Sequence, residues 1–251
     1  MAKAVTEPSG EPSLTPEISI VVPVLDEGGV IEDLVAEIAK AFDGRAFEII
    51  VVDDASRDAT RETLVALKAA TPALRVLGHA RNAGQSRAIR SGVIAARGPV
   101  IVTLDGDGQN DPADAPALVE ALAADPKLGL VAGQRVERKD SLAKRVGSGL
   151  GNGVRRRILG DGAADTSCGL KAFRREAYLR LPYFDHMHRF LPALFLREGY
   201  AVAYRPVRSR ARRFGVSKYT NLGRLWVSIW DLIGVLWLVA RARDPGSAEE
   251  L

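Results

Sequence analysis

The chain reads as an α/β protein built on a mostly parallel, doubly wound sheet flanked by helices. Three observations predict this. Short β-branched runs alternate with amphipathic, helix-length stretches through roughly the first 135 residues. The runs are continuously apolar rather than alternating, as expected of strands buried on both faces. Polar clusters fall at the carboxyl ends of four successive runs, where such sheets bind ligands.

In order, ISIVVPV (18–24) is the first strand, and Val30, Ile31, Leu34, Val35 and Ile38 then recur at helical spacing across 30–42. FEIIVVDD (47–54) is the second strand, and Asp58 is placed to cap a helix running to about Ala70. LRVLGH (74–79) is the third strand. A helix rich in small residues follows over 84–97, with Gly84, Ala88 and Gly92 expected to allow close packing. PVIVTLD (99–105), a helix over 113–124 and LGLVAG (128–133) complete the regular part. Beyond it, 141–159 reads as a basic helix, 186–199 as a helix and 201–206 as a strand. LWVSIWDLIGVLWLVA (225–240) is strongly apolar.

The 251 residues are 47% apolar, enough to bury a sizeable core. One cysteine, Cys168, excludes an internal disulfide, fits a reducing compartment and is expected to be buried. Residues 1–17 carry no apolar signal segment and read as a disordered tail. The formal charge of +4 conceals an asymmetry: residues 1–130 hold 12 Lys+Arg against 20 Asp+Glu, and the remainder 23 against 11. An acidic half joined to a basic half suits two different charged ligands.

DGDGQND (105–111) packs three aspartates into seven residues. A calcium loop beginning at Asp105 needs glycine at its sixth position and glutamate at its twelfth; Asn110 and Pro116 stand there. Instead, two carboxylates at i and i+2 at the end of a strand, with Gln109 as a neutral oxygen donor, suit one hard cation sharing its shell with substrate phosphates. The expected metal ligands are therefore Asp105, Asp107 and Gln109, with Mg²⁺ or Mn²⁺ as cofactor. Asp111, before Pro112, is a helix cap.

PVLDE (23–27), VVDDASRD (51–58), RNAGQSRAIRSG (81–92), LDGDGQNDP (104–112), AGQR (132–135) and RRFGVSKY (212–219) stand in that order. The series resembles the family-2 glycosyltransferases, in particular the branch similar to dolichol-phosphate mannose synthase, over roughly residues 18–221. The resemblance implies a GT-A fold, a Rossmann-like sheet holding a nucleoside diphosphate sugar. It places Pro23, Leu25, Glu27, Asp54, Arg81 and Gln85 around the donor, and Arg135, Arg145 and Ser148 on an acceptor phosphate. Asp105 and Asp107 with Arg212 and Lys218 would be catalytic, the last two on the diphosphate. Asp53 reads as a cap and Asp165 as ordering the neighbouring loop rather than as catalytic. The usual Tyr–Asn of the first motif is Leu25–Asp26 here, and a histidine common before the late motif is Ser209.

The implied activity is inverting, metal-dependent hexosyl transfer from a nucleoside diphosphate sugar to polyprenyl (undecaprenyl or dolichyl) phosphate. A polysaccharide or other hydroxyl acceptor is the alternative, and a nucleotide-sugar-binding module without turnover a second. Asp185 is the acid nearest the expected place for a base. A phosphate monoester needs none, because its second pKa is about 6. His186 and His188 read as packing or interfacial residues rather than metal ligands. Seven Lys+Arg and no acid between 205 and 224 point to phosphate binding. The basic segments lack interleaved stacking aromatics, which argues against nucleic acid.

The 225–240 run falls short of the roughly 20 apolar residues of a spanning helix and contains Asp231. Trp226, Trp230 and Trp237, with Arg224, Arg241 and Arg243, suit a bilayer interface. The expected organisation is a tail (1–17), a GT-A domain (18–221), a helix (222–243) lying on the cytoplasmic face of the inner membrane or docking a small membrane protein, and a tail (244–251).

Overall fold

The computed structural model describes residues 15–136, 155–211 and 221–243, the side chains of 221–228 excepted. Outside the described residues lie Arg145, Ser148, Arg212 and Lys218, most of the expected basic helix over 141–159, most of the N-terminal tail, and the C-terminal tail.

Strands β1 (Ile18–Val24), β2 (Phe47–Asp53), β3 (Leu74–Gly78), β4 (Val100–Thr103), β5 (Leu128–Arg135), β6 (Lys171–Arg174) and β7 (Ala201–Val207) form one sheet in the order β3-β2-β1-β4-β6-β5-β7. Helices α1 (Ile31–Ala41), α2 (Thr60–Ala70), α3 (Gln85–Ala95), α4 (Ala115–Ala124), α5 (Arg175–Arg180), α6 (Leu191–Arg197) and α7 (Asn221–Ala240) connect or flank it. All pairings are parallel except those of β6, which runs antiparallel between β4 and β5. Sequence alternation missed β6, a four-residue strand with a charge at each end.

The continuous apolar runs are explained by two cores. Ile18, Ile20, Val22 and Val24 of β1 join Ile31, Leu34, Val35 and Ile38 of α1 and Leu118 and Leu122 of α4 on one face. Val21, Ile50 and Val52 join Ala88, Ile89 and Val93 of α3, with α5 and α6, on the other. Gly92 works as expected, since a Cβ there would lie 2.4 Å from Val21 Cγ1. Gly84 has a different job: it starts α3 at φ +87°, a conformation open to glycine at little cost. The domain already begins at Glu17, whose N–H donates to the Ala46 carbonyl at 2.8 Å.

Chain order reverses between β1 and β4: β2 and β3 lie to one side of β1, and β4 to the other. The crevice beyond these two strands' carboxyl ends is the topological switch point, the ligand position in doubly wound sheets.

The helix α7 is longer than the apolar run and is docked by one face. Val235 is fully buried, with Leu232, Leu238 and Val239 packed beside it. Asp231 meets His186 at 3.0 Å, and Arg197 donates to the Leu238 carbonyl at 3.0 Å. Ile229, Trp230, Ile233 and Trp237 remain exposed, the two tryptophans at 67% and 60%. No described helix is long and apolar enough to cross a membrane.

Candidate active site

Two loops meet at the switch point. The β1 loop turns at Asp26, whose φ of +54° is one that Asp and Asn tolerate better than most residues. Its N–H donates to Ser56 Oγ at 2.9 Å, and its Oδ1 accepts from Arg57 N at 2.6 Å. Asp58, expected to be the N-cap of α2, sits one residue before it, since Ala59 takes that place; its carboxylate accepts from Thr60 N at 3.0 Å and holds Gly28 N at 3.1 Å. Glu27 donates its N–H to Thr60 Oγ1 at 2.9 Å. Leu25 and Glu27 therefore ride on a loop fixed to the start of α2, while Pro23 sits in β1, paired with Val52.

Asp53, read as a helix cap, instead holds the turn after β2 and pairs with α2: it accepts from Ser56 N at 2.8 Å and from Arg61 Nε at 2.7 Å, while Ala59 stands at the N-cap. The Asp54 carboxylate, almost wholly buried, accepts from Ala83 N at 2.9 Å and Gly84 N at 2.8 Å and meets His79 Nδ1 at 2.6 Å. Its observed partners are thus the turn that opens α3. Arg81 lies exposed on that same turn.

Asp105 leaves β4 into the crevice. Gln85, expected to line the donor pocket, donates Nε2 to Asp105 Oδ1 at 2.7 Å, so α3 and the acidic loop join there. Burial, and then the adjacent Asp107 charge, push the Asp105 carboxyl up to about 6, against the opposing pull of Lys171, Arg135 and Gln85. Asp107 Oδ1 accepts from Gln109 N at 3.1 Å, which folds Gln109 beside it. Asn110 Oδ1 accepts from Asp105 N at 3.3 Å.

The floor comes from the segment before β6. A Cβ on Gly169 would lie 2.3 Å from the Asp105 carboxyl carbon, so glycine makes room for the side chain. Thr103 Oγ1 fixes this turn by donating to the Gly169 carbonyl at 2.8 Å. Lys171, buried in β6, donates to the Cys168 carbonyl, and burial pushes its pKa down. Lys171 is a site residue that sequence reasoning missed, because the strand that buries it was not recognised. Cys168 is buried, as expected.

Arg135, expected on the acceptor phosphate, lies close enough for its charge to act on Asp105. Its fork is held by Asp165, with Nε to Oδ2 at 2.6 Å and Nη2 to Oδ1 at 2.9 Å, and that hydrogen bonding raises its pKa. Asp165 also accepts from Ser167 N at 3.3 Å, the loop-ordering role expected. His188 is a packing residue, bonded to Ser86 Oγ at 2.7 Å, and burial holds its pKa well below the usual range, so it is neutral. Asp185 comes to the rim of the site: a Cβ on Gly84 would lie 3.4 Å from its Oδ1.

Asp111 caps the following turn through Ala113 N at 3.1 Å, as expected. It also pairs with Arg210 at 2.9 Å and Arg208 at 3.3 Å, which the sequence did not reveal. Two of the cations credited to phosphate binding are thus already matched by acids of the fold.

The site fits a hard divalent cation. Two carboxylates are held together at partial burial, and the raised Asp105 pKa reflects desolvation and charge repulsion that a cation relieves. Among the described residues, no three His, Cys, Asp or Glu side chains form a closed metal cage. This donor set suits a cation completing its shell with phosphate oxygens.

Comparison with known proteins agrees. Residues 19–181 match the model of glycosyl transferase family 2. A dodecaprenyl-phosphate galacturonate synthase of Rhizobium johnstonii is 34% identical, aligned over 95% of this chain and 72% of its own. An undecaprenyl-phosphate 4-deoxy-4-formamido-L-arabinose transferase of Edwardsiella ictaluri is 34% identical over 87% of this chain and 67% of its own. Among solved structures, glucosyl-3-phosphoglycerate synthase of Mycobacterium tuberculosis, crystallised with Mn²⁺, UDP and glucosyl-3-phosphoglycerate, has a TM-score of 0.67 at 23% identity, over 97% of this chain and 88% of that one. The same enzyme has been crystallised with Mg²⁺ and UDP. That likeness is one of fold, the GT-A arrangement. An acidic loop at the switch point, the family's own model across most of the domain and a 34% identical relative aligned over 95% of this chain lead to one assignment: the chain belongs to glycosyl transferase family 2.

Proposed function

We propose that the protein is an inverting glycosyltransferase that moves a sugar from a nucleoside diphosphate to a polyprenyl phosphate at the cytoplasmic face of the inner membrane. The observation that carries this is the partly buried Asp105–Asp107 pair at the β1/β4 switch point, with Gln85 fixing Asp105. The named activities of the two relatives, at 34% identity, support the lipid phosphate acceptor and differ in the sugar they move.

Asp105, Asp107 and Gln109 hold Mg²⁺ or Mn²⁺, which when bound supplies neutralisation of the charge on the departing diphosphate without proton transfer. Gln85 orients Asp105, while Asp54 fixes the turn carrying Arg81. Pro23, Leu25 and Glu27 bound the donor from the β1 side. Arg212 and Lys218 serve the diphosphate, and Arg135, Arg145 and Ser148 receive the acceptor phosphate. An acceptor phosphate oxygen forms the bond to the anomeric carbon from the face opposite the leaving group, and the nucleoside diphosphate departs with the bonding electrons. At neutral pH the acceptor is already largely dianionic, so no base is required.

The exposed Ile229, Trp230, Ile233 and Trp237 face of α7, followed by Arg241 and Arg243, lies against the bilayer surface. The position of Asp185 at the rim favours a second reading, a hydroxyl acceptor with Asp185 as base. A thermal-shift screen of UDP- and GDP-sugars with Mn²⁺ tests the donor assignment. Metal-dependent stabilisation by one nucleotide class is expected, and no stabilisation by any of them sinks it.

A further inference from the structure

We infer that Arg210, supported by Arg208, is a positioning residue for the metal-binding loop; this rests on the metal-dependent reading above. Arg210 joins three parts of the molecule. Its N–H donates to the Gln109 carbonyl at 2.9 Å, and Ser209 forms an antiparallel bridge with Asn110. The segment after β7 is therefore tied to the acidic loop by a single antiparallel bridge and one backbone hydrogen bond. The Arg210 guanidinium reaches Asp111 Oδ1 through Nη2 at 2.9 Å and Glu37 Oε2 on α1 through Nη1 at 2.5 Å. Arg208 closes the other side, donating N to Asp114 Oδ2 at 2.7 Å and Nε and Nη2 to Asp114 Oδ1 at 3.0 and 2.9 Å.

The consequence is specific to Gln109. Its N–H is taken by Asp107 at 3.1 Å and its carbonyl by Arg210 at 2.9 Å, so its main chain is held from both sides. What seats the second side is a guanidinium 32% exposed, set between two carboxylates. An exposed single ion pair contributes little, but a planar fork matched to two acids on different elements fixes orientation as well as charge. Arg210 also ties α1, and hence the β1 side of the crevice, to the loop after β4. Arg212, proposed to serve the diphosphate, follows two residues later in the sequence.

The test uses the full chain and Mn²⁺ binding followed by the loss of the free-ion electron paramagnetic resonance signal. UDP or GDP is present, whichever stabilises the wild-type protein. Arg210→Ala is expected to weaken Mn²⁺ binding about tenfold, the range for residues that orient metal ligands from behind. Arg210→Lys, which keeps the charge but loses the fork, should fall between. Glu37→Gln removes only the α1 leg and should have a smaller effect than Arg210→Ala. In turnover, the change should appear in donor KM and in the Mn²⁺ requirement while acceptor KM is unchanged. Arg210→Ala folded with wild-type Mn²⁺ affinity overturns the inference, even if its melting temperature is lower. If Arg210→Ala does not fold, Arg210→Lys and Glu37→Gln decide in the same way. Absence of Mn²⁺ binding by the wild-type chain itself sinks the metal-dependent reading, and the inference with it.

Discussion

Replacing Asp105 with asparagine should stabilise the metal-free protein while abolishing its function. The folded-state pKa of Asp105 is about 6 against an ordinary value of 3.8. A difference of that size sets an upper bound of about 3 kcal/mol on the cost of keeping this carboxylate ionised in the folded protein. Asp105 stays partly open to solvent, which lowers the figure to about 1–3 kcal/mol. The sign follows from linkage. The folded state binds this proton more tightly than the unfolded chain, so the contribution is unfavourable above about pH 6 and fades as pH falls from 6 toward 4. Asparagine keeps an oxygen for Gln85 Nε2 without the charge. The assay is thermal unfolding in chelator at pH 7.5 and again near pH 4.5. At pH 7.5 the variant should melt several degrees higher, at about 2–4 °C per kcal/mol for a chain of this size. Near pH 4.5 the difference should shrink, and Mn²⁺ with nucleotide should no longer stabilise the variant. A variant less stable than wild type at pH 7.5 refutes the claim that burial and repulsion dominate at this site.

Further outcomes follow from the same geometry. Gly169→Ala puts a methyl group 2.3 Å from the Asp105 carboxyl carbon, so it should displace that side chain and cost about 1–3 kcal/mol in stability. Turnover should fall on the order of 10²-fold, and unchanged turnover would mean that Asp105 does not need this position. Trp230→Ala combined with Trp237→Ala removes exposed apolar surface from α7 without touching its docked face. Binding to vesicles containing anionic lipid should weaken roughly 10- to 100-fold with little change in melting temperature; equal flotation of variant and wild type would remove the membrane role.

The parts of the fold legible in sequence were those specified by apolar runs. Strands β1, β2, β4 and β5 were announced by runs buried on both faces, β3 and β7 by apolar residues that prove mostly half-buried, and α1 by Ile31, Leu34, Val35 and Ile38 at helical spacing. The strand β6 was not legible, because a four-residue strand carries too little periodicity and Lys171 disguised its burial. The acidic loop was legible because its acids are adjacent in sequence. Its restraints were not, since Arg208 lies 94 residues from Asp114 and Arg210 lies 173 from Glu37. The basic segment was therefore read as wholly available for phosphate, whereas part of its charge holds the fold together. Asp54 shows the same limit from the other direction: its place at a strand end was legible, but the bonds its carboxylate accepts from Ala83 and Gly84, 29 and 30 residues away, were not. Asp231, read as a charge that interrupts an apolar run, proves to be the residue that seats α7 against His186.

The most direct measurement is transfer of labelled sugar into the organic phase, from a nucleotide sugar that stabilises the protein, with undecaprenyl phosphate in vesicles as acceptor. Aqueous hydroxyl acceptors run in parallel. The proposed function predicts Mn²⁺- or Mg²⁺-dependent labelling of the lipid phosphate by wild type, loss of that labelling in Asp107→Ala, and no transfer to the aqueous acceptors. Labelling of the aqueous acceptors alone, or lipid labelling that survives both chelation and Asp107→Ala, would contradict it.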